Sequence, residues 1–364
     1  MRHVLTCEPG WEPALADELR RTLGPELETA ADGVVSASGR VEIVTTEPIA
    51  APPTIAFARQ CLAKAESVQA ESIGQWADAI CERISAKLDT VDVPWRLHVF
   101  ATPQADGSTG VRRAALVQAK LLDKLKQVRK RLLRRMNGEP ESPWLADEAL
   151  VQVLLTSPTE GFVSIADAAT LGVWRRVASR FSGGELEPAV DKLAPSRAFA
   201  KLVEVERRMG RPIRAGETCV DLGASPGSWT YTALQRGARV TAIDRSPLRD
   251  DLMRNPRLEF LQTDAFRYAP TEPIDWLLSD IIAFPDRIRD LLADWLGARR
   301  CRLFCVTVKF RGRDDDAELE DVKRVLAASG YEYCLRRLDA NKNEATAYGY
   351  LPDGAELRAG VGLA

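Results

Sequence analysis

The sequence predicts an α/β protein whose C-terminal half carries a mostly parallel, seven-stranded sheet, preceded by two smaller α+β units. Three observations predict it. From about residue 194, strand-like and helix-like stretches alternate, and such alternation builds parallel strands with helices on both faces. Ahead of residue 180, short strands and helices group into small α+β units. At 364 residues the chain exceeds one typical domain and points to two or three.

The first unit, 1–60, has a strand-like "HVLTCEP", a helix over "WEPALADELRRTL", strand-like runs at "GVVSASG" and "VEIVTT", and a stretch of helical or mixed character beginning at "TIAFARQCLAKAESV". The second, 61–180, opens with a helix over "IGQWADAICERISAKL", where Ile73, Trp76, Ile80 and Ile84 keep three-to-four spacing. A strand "WRLHVFATP" follows, then a long helix over 114–136 with Val117, Leu121, Leu125, Val128 and Leu132 as its expected buried stripe. Strands "ALVQVLLTSP" and "GFVSIADAA" complete this unit, and 181–193, with Gly and Pro but no period, reads as a linker. In the third unit, 194–351, strands are expected at 218–223, 239–244, 258–263, 274–280, 302–309, 332–338 and 345–351. Only "DANKNE" separates the last two, too short for a crossover helix, so they should pair as an antiparallel hairpin. The tail, 352–364, is expected to fray.

Composition narrows the function classes. The chain is 45% hydrophobic and 28% charged with a net charge of -2, ordinary for a soluble globular protein and not that of a basic nucleic-acid binder, so RNA contact would need local patches. Seven scattered cysteines without a CxxC pair read as reduced packing thiols in a cytoplasmic protein. Two histidines leave little room for zinc or a histidine triad, and no metal is expected. The N-terminus lacks the apolar core of a signal peptide, and no apolar run reaches the ~20 residues of a membrane helix.

The stretch "VDLGASPGSWT" follows a strand and opens a helix. A dinucleotide loop uses three glycines in GxGxxG; here Gly223 and Gly227 flank Ala224, Ser225 and Pro226, and the third glycine is missing. That order suits S-adenosylmethionine, which has no pyrophosphate to cradle. Asp244 closes the second strand, where a carboxylate can accept from ribose hydroxyls, and Asp264 follows the third, where it can accept from an adenine amino group. The alternative for both aspartates is helix capping.

Methyl transfer needs an in-line nucleophile and a route for its proton. An amine acceptor would go with Asn-Pro-Pro-Tyr/Phe after the fourth strand, and a pyrimidine C5 acceptor with a cysteine after proline; "WLLSDIIAFP" has neither. Instead the fourth strand ends at Asp280, the fifth at Lys309, a helix entering the domain carries Lys201, and Glu344 opens the last strand. Two lysines and two carboxylates suit deprotonation of a ribose 2′-hydroxyl, with either lysine able to be the neutral one.

The segments "SRAFAKL", "VDLGASPGSWT", "AIDRSPL", "LLSDI", "VTVKF" and that around Glu344 resemble the FtsJ-type ribose 2′-O-methyltransferases, with their Lys-Asp-Lys-Glu tetrad on a Rossmann-like fold. The layout is similar to a member group that methylates a cytidine in 23S rRNA, with further likeness at "CEPGWEPALADEL", "FARQ" and "APSR". The resemblance implies Lys309 as proton acceptor with Lys201, Asp280 and Glu344. It implies that Ser196, Gly223, Ser225, Pro226, Gly227, Ser228, Trp229, Asp244, Asp264 and Asp280 hold S-adenosylmethionine, and that ferredoxin-like and THUMP-like RNA-binding domains precede the enzyme. Ser228 departs from the family's usual second glycine, and "KFRGRDDD" departs from its basic stretch after the lysine. The partner implied is 23S rRNA before the large subunit is fully assembled, the expected state a monomer.

Between Arg112 and Arg135 the sequence has ten basic residues and one acid, Asp123; Lys126, Lys130 and Arg134 share a face opposite the apolar stripe, and Lys120, Lys124 and Arg131 flank it. Such a face can track phosphates or simply be solvated. Arg175, Arg176 and Arg180 extend the patch, and Trp144 and Trp174 are either base-stacking or core residues. Two other functions fit parts of the sequence: a small-molecule O-methyltransferase, which would not need the first 190 residues, and an RNA-binding assembly factor with a vestigial cofactor pocket, in which the tetrad should have eroded.

Overall fold

The computed structural model describes residues 1–27, 34–102, 109–139, 142–310 and 319–352; the tail from 353 and the segment 311–316 that departs from the family pattern lie outside them. The chain divides into two compact units, Met1–Glu185 and Leu186–Ala364.

In the first unit, β1 (Arg2–Thr6), β2 (Val34–Ala37), β3 (Arg40–Val44) and β4 (Gln60–Leu62) form an antiparallel sheet in the order β2-β3-β1-β4. The helix α1 (Glu12–Leu23) packs through Leu15, Leu19 and Leu23, spaced by four. It also carries Glu18, 1% exposed, whose carboxylate accepts the backbone N–H groups of Ala56 and Phe57 at 2.7 and 3.0 Å. This corrects the helical part of the helical or mixed character expected of "TIAFARQCLAKAESV", which forms β4 and β5 (Glu66–Gln69) and no helix. Its amides bond to Glu18 and to the β1 carbonyls instead of to one another, with Arg59 donating to Thr6 O at 2.7 Å and Ala65 to Arg2 O at 2.9 Å. Tertiary partners override the alanine-rich composition.

The remaining elements of this unit are α2 (Ile73–Leu88), β6 (Trp95–Ala101), α3 (Thr109–Val128), α4 (Lys130–Arg134), β7 (Met136–Asn137), β8 (Ala149–Leu155), β9 (Glu160–Ala166) and α5 (Ala168–Val173). Their sheet runs β5-β9-β8-β6-β7, parallel at β6–β8 and β6–β7 and otherwise antiparallel. Ser72 caps α2, and Trp76, Ile80, Ile84 and Leu88 face Val117, Leu121 and Leu125 of α3 in one core. The expected long helix is broken at Arg129 (φ -142°, ψ 51°), whose guanidinium bonds Ser85 Oγ and Asp89 Oδ2, both at 3.1 Å. The break returns Leu132 to the core, where its carbonyl accepts Trp95 Nε1 at 2.8 Å, and leaves Val128 50% exposed. Val128 therefore drops out of the buried stripe, and Lys126 no longer shares a continuous helix face with Lys130 and Arg134. Arg180, at 2% exposed, and Trp174, at 1%, are interior residues, so the patch does not extend through Arg180.

In the second unit, α6 (Phe199–Met209) leads into β10 (Thr218–Leu222), α7 (Ser228–Gln235), β11 (Arg239–Asp244), α8 (Asp250–Met253), β12 (Leu258–Gln262), β13 (Ile274–Ser279), α9 (Pro285–Gly297), β14 (Cys301–Lys309), α10 (Leu319–Ala328), β15 (Glu332–Arg336) and β16 (Glu344–Tyr350). The strands form one seven-stranded sheet, β12-β11-β10-β13-β14-β16-β15. The first five are parallel, and the β15–β16 hairpin adds two antiparallel strands with β16 inserted beside β14. Leu202, Val205 and Met209 of α6 and Trp229 and Leu234 of α7 bury one face against Val240, Trp276, Leu303 and Tyr348. All seven cysteines are buried and unpaired to one another. Among the described residues no helix is long and apolar enough to cross a membrane, and no cluster of acids, histidines and cysteines could hold a metal ion.

The helix break makes a prediction. Leu125→Ala, in the fully buried stripe, should lower the unfolding free energy by about 2–5 kcal/mol in urea titration. Val128→Ala, one turn on but exposed, should change it by no more than about 0.5 kcal/mol.

Candidate active site

The site lies at the C-terminal ends of the parallel strands, where open α/β sheets present their loops. β10 runs into Gly223, with φ 74°, and Gly227, with φ 106°, precedes α7. Both conformations favour glycine. A Cβ on Gly223 would lie 2.7 Å from Ile281 Cβ, which leaves no room for a side chain, and one on Gly227 would lie 2.5 Å from Leu252 Cδ1 and displace the end of that side chain. Ser228 takes an ordinary helical backbone at the head of α7, because Gly227 takes the left-handed turn. Its hydroxyl bonds that of Ser196 at 2.7 Å, and Trp229 Nε1 donates to Ala198 O at 2.8 Å, tying the segment ahead of α6 to the start of α7.

Asp244 ends β11. Its Oδ2 accepts the Ser225 N–H at 3.0 Å and its Oδ1 the Ser246 N–H at 2.8 Å, which fixes the carboxylate at the sheet edge with lone pairs to spare. Asp264 caps the short turn Ala265–Arg267 through the Phe266 N–H at 3.1 Å and pairs with Arg245 at 2.6 Å. Of the two aspartates only Asp264 caps a helical turn, and Asp244 accepts from two loop amides. A cavity of about 450 Å³ opens here, lined by the sequence-predicted residues except Lys201, Gly227 and Glu344.

At one side of the cavity Asp280 and Lys309 reach its wall, with Lys201 and Glu344 behind them. Asp280 follows β13, Lys309 closes β14, Glu344 opens β16 and Lys201 comes from the first turn of α6. The antiparallel register sets Lys309 directly opposite Glu344. Lys201 Nζ sits 2.8 Å from Asp280 and 2.9 Å from Glu344, with its side chain 7% exposed. Burial works against its charge, but the two carboxylates outweigh burial and the net shift of its pKa is upward. Lys309 Nζ donates to the Asp280 carbonyl at 2.7 Å and stands 3.2 Å from its carboxylate; its side chain is 23% exposed and borders the cavity, which Lys201 does not.

Several lining residues were not singled out from the sequence. Asp221 is buried on β10 and accepts the Thr230 hydroxyl at 2.6 Å; burial pushes its carboxyl up to about 7 against that hydrogen bond. Its signal was the acid two residues ahead of Gly223. Ile282, 88% exposed, and Arg287, whose guanidinium lies 3.7 Å over the Phe266 ring, also line the cavity. Two isoleucines after a strand end carry no periodic signal, and a cation–aromatic pair 21 positions apart carries none either.

Residues 194–299 match the model of the FtsJ-like methyltransferase family. A protein named ribosomal RNA large subunit methyltransferase M from Thauera aminoaromatica is 34% identical over 204 residues, covering 55% of this chain and 56% of the relative. Proteins of the same name are 38% identical over 166 residues in Azoarcus sp. strain BH72, covering 43% of this chain and 46% of the relative, and 34% identical over 207 residues in Pseudomonas putida strain W619, covering 53% and 54%. The chain spans about half the length of the curated relatives it matches. The resemblance drawn from the motifs is borne out, and the second unit has the FtsJ-like methyltransferase fold.

Asp221 supplies a pH test. Its folded-state pKa is raised above its unfolded value, so its contribution to stability is fully present below about pH 4 and is lost as pH rises through about 7. Asp221→Asn should therefore gain melting temperature relative to the parent between about pH 4 and pH 7, with no further change above that. A pH-independent difference in calorimetry would remove the buried, protonated carboxyl from the account.

Proposed function

We propose that the chain is an S-adenosylmethionine-dependent methyltransferase of a ribose 2′-hydroxyl in 23S rRNA, and of a cytidine there. The observation that carries the reading is the placement of Lys309: a lysine amine at the cavity wall, held by Asp280, with a second lysine fixed behind it between two carboxylates. When bound, S-adenosylmethionine supplies a methyl group made electrophilic by its sulfonium. The cavity fits such a ligand: Gly223 lines it without a side chain, Asp244 keeps acceptors for the ribose hydroxyls, and Asp264 stands at the adenine end. Ser196, Ser225, Pro226, Ser228 and Trp229 line the remainder.

In this role Lys201 would remain a cation and orient Asp280, and Lys309, as the neutral amine, would take the proton from the 2′-hydroxyl as the oxygen–methyl bond forms and the sulfur–methyl bond breaks, its electron pair staying on sulfur as a neutral thioether. Asp280 then offsets the charge that Lys309 acquires. The relatives' printed name supports an RNA of the large ribosomal subunit, and a ribose can reach a recessed amine only while the RNA is accessible, before assembly is complete.

We take 1–60 as a ferredoxin-like domain, 61–180 as a THUMP-like RNA-binding domain and 181–193 as the linker to the enzyme, in a cytoplasmic monomer. Support for RNA contact is the charge on α3 and α4. Lys124, Arg129 and Arg135 pair with Asp78, Asp89 and Asp92. Lys120, Lys126, Lys130, Arg131 and Arg134 are exposed and have no carboxylate partner among the described residues, which leaves them for phosphates.

With tritiated cofactor and unmodified 23S rRNA, Lys309→Ala should bind cofactor normally and lose turnover by about 10²–10⁴-fold, the range for removing a general base. Retained turnover would remove its role. Replacing Lys126, Lys130 and Arg134 with Gln together should weaken RNA binding and flatten its salt dependence by about two to three units of slope; unchanged affinity would return these side chains to plain solvation.

A further inference from the structure

The turn between β15 and β16 holds a buried amide to which the mechanism gives no part. Asn341 is 9% exposed. Its Oδ1 accepts the Leu338 N–H at 2.7 Å and the Thr346 hydroxyl at 3.3 Å. A backbone N–H can only donate, so this end of the amide is the oxygen. The other end, Nδ2, donates to Glu344 Oε1 at 3.2 Å, the oxygen that also accepts Lys201 Nζ at 2.9 Å.

The turn itself is anchored to the helix that carries Lys201. Three residues beyond Lys201, Glu204 accepts the N–H groups of Asp339 at 3.0 Å and Ala340 at 3.1 Å. Four residues further, Arg208 pairs with Glu204 at 2.7 Å and Asp339 at 3.1 Å, all three side chains being buried or nearly so. α6 thus presents Lys201 to the tetrad with one turn and grips the backbone next to Asn341 with the following two. A hydrogen-bonded sequence runs from the turn through Asn341, Glu344, Lys201 and Asp280 to Lys309.

We propose that Asn341 is a positioning residue: its amide fixes the Glu344 carboxylate, which holds Lys201 against Asp280 and thereby sets Asp280 beside Lys309. An amide donor suits the task because it bonds an ionised carboxylate without adding charge to a group already shared by a lysine. The kinetic consequence rests on the proposed function; the geometric one does not.

Two measurements test it. In ¹⁵N-lysine NMR of the full chain, the Lys201 ammonium should be protected from hydrogen exchange, and Asn341→Ala should accelerate that exchange about tenfold or more, as expected once a buried carboxylate loses one of its donors. In rRNA methylation, Asn341→Ala should lower kcat about tenfold with the cofactor Kd and the RNA KM unchanged, and should cost nothing further in a Glu344→Gln background, because it acts through Glu344. Should Asn341→Ala fold poorly, Asn341→Asp keeps the oxygen that the turn requires and loses the donor, and should give the same two results. Unchanged Lys201 exchange, or a kcat loss that adds in full to that of Glu344→Gln, overturns the proposal. If the parent protein transfers no methyl to ribose, that failure belongs to the proposed function, and the exchange measurement still decides the role of Asn341.

Discussion

Asp280 stands at the meeting point of two ammonium groups, and the site's geometry follows from how that shared counter-charge is divided. Lys201 has a carboxylate on each side, Asp280 at 2.8 Å and Glu344 at 2.9 Å, whereas the second partner of Lys309 is a neutral carbonyl. Removing one member of such a buried set leaves another charge uncompensated, which costs far more than the pair contributes. The four side chains are therefore fixed as a group. The asymmetry keeps Lys201 charged and inside, and leaves Lys309 at the cavity wall.

The fold supplies that arrangement from distant pieces. Parallel strands β10, β11 and β13 end at one edge of the sheet, where Gly223, Asp244 and Asp280 sit. Only because β16 runs antiparallel beside β14 does its first residue, Glu344, meet the last residue of β14, Lys309. A parallel strand in that place would deliver its C-terminal end instead. The hairpin is thus what brings Glu344 to the group of charges beside the cavity.

Much of this was legible in the sequence because strand ends are marked by residue type. The expected seven strands, the hairpin and the residues at each edge all follow from alternation and from single acids, glycines and lysines at run ends, and the structure brings Lys201, Asp280, Lys309 and Glu344 within bonding distance. What was not legible depends on partners far along the chain. Glu18 draws residues 56 and 57 out of a helical pattern from 38 positions away. Arg129 breaks a periodic helix because Ser85 and Asp89 take its guanidinium. Asn341, in a polar turn, has nothing in its spacing to set it apart; its importance is visible only once the turn folds back onto α6.

The central claim is that the methyl group goes to a ribose oxygen. Nucleoside mass spectrometry of 23S rRNA incubated with the protein and labelled S-adenosylmethionine tests it most directly. The account predicts label in 2′-O-methylcytidine, recovered as an alkali-resistant dinucleotide. Label in a base-methylated nucleoside would contradict it.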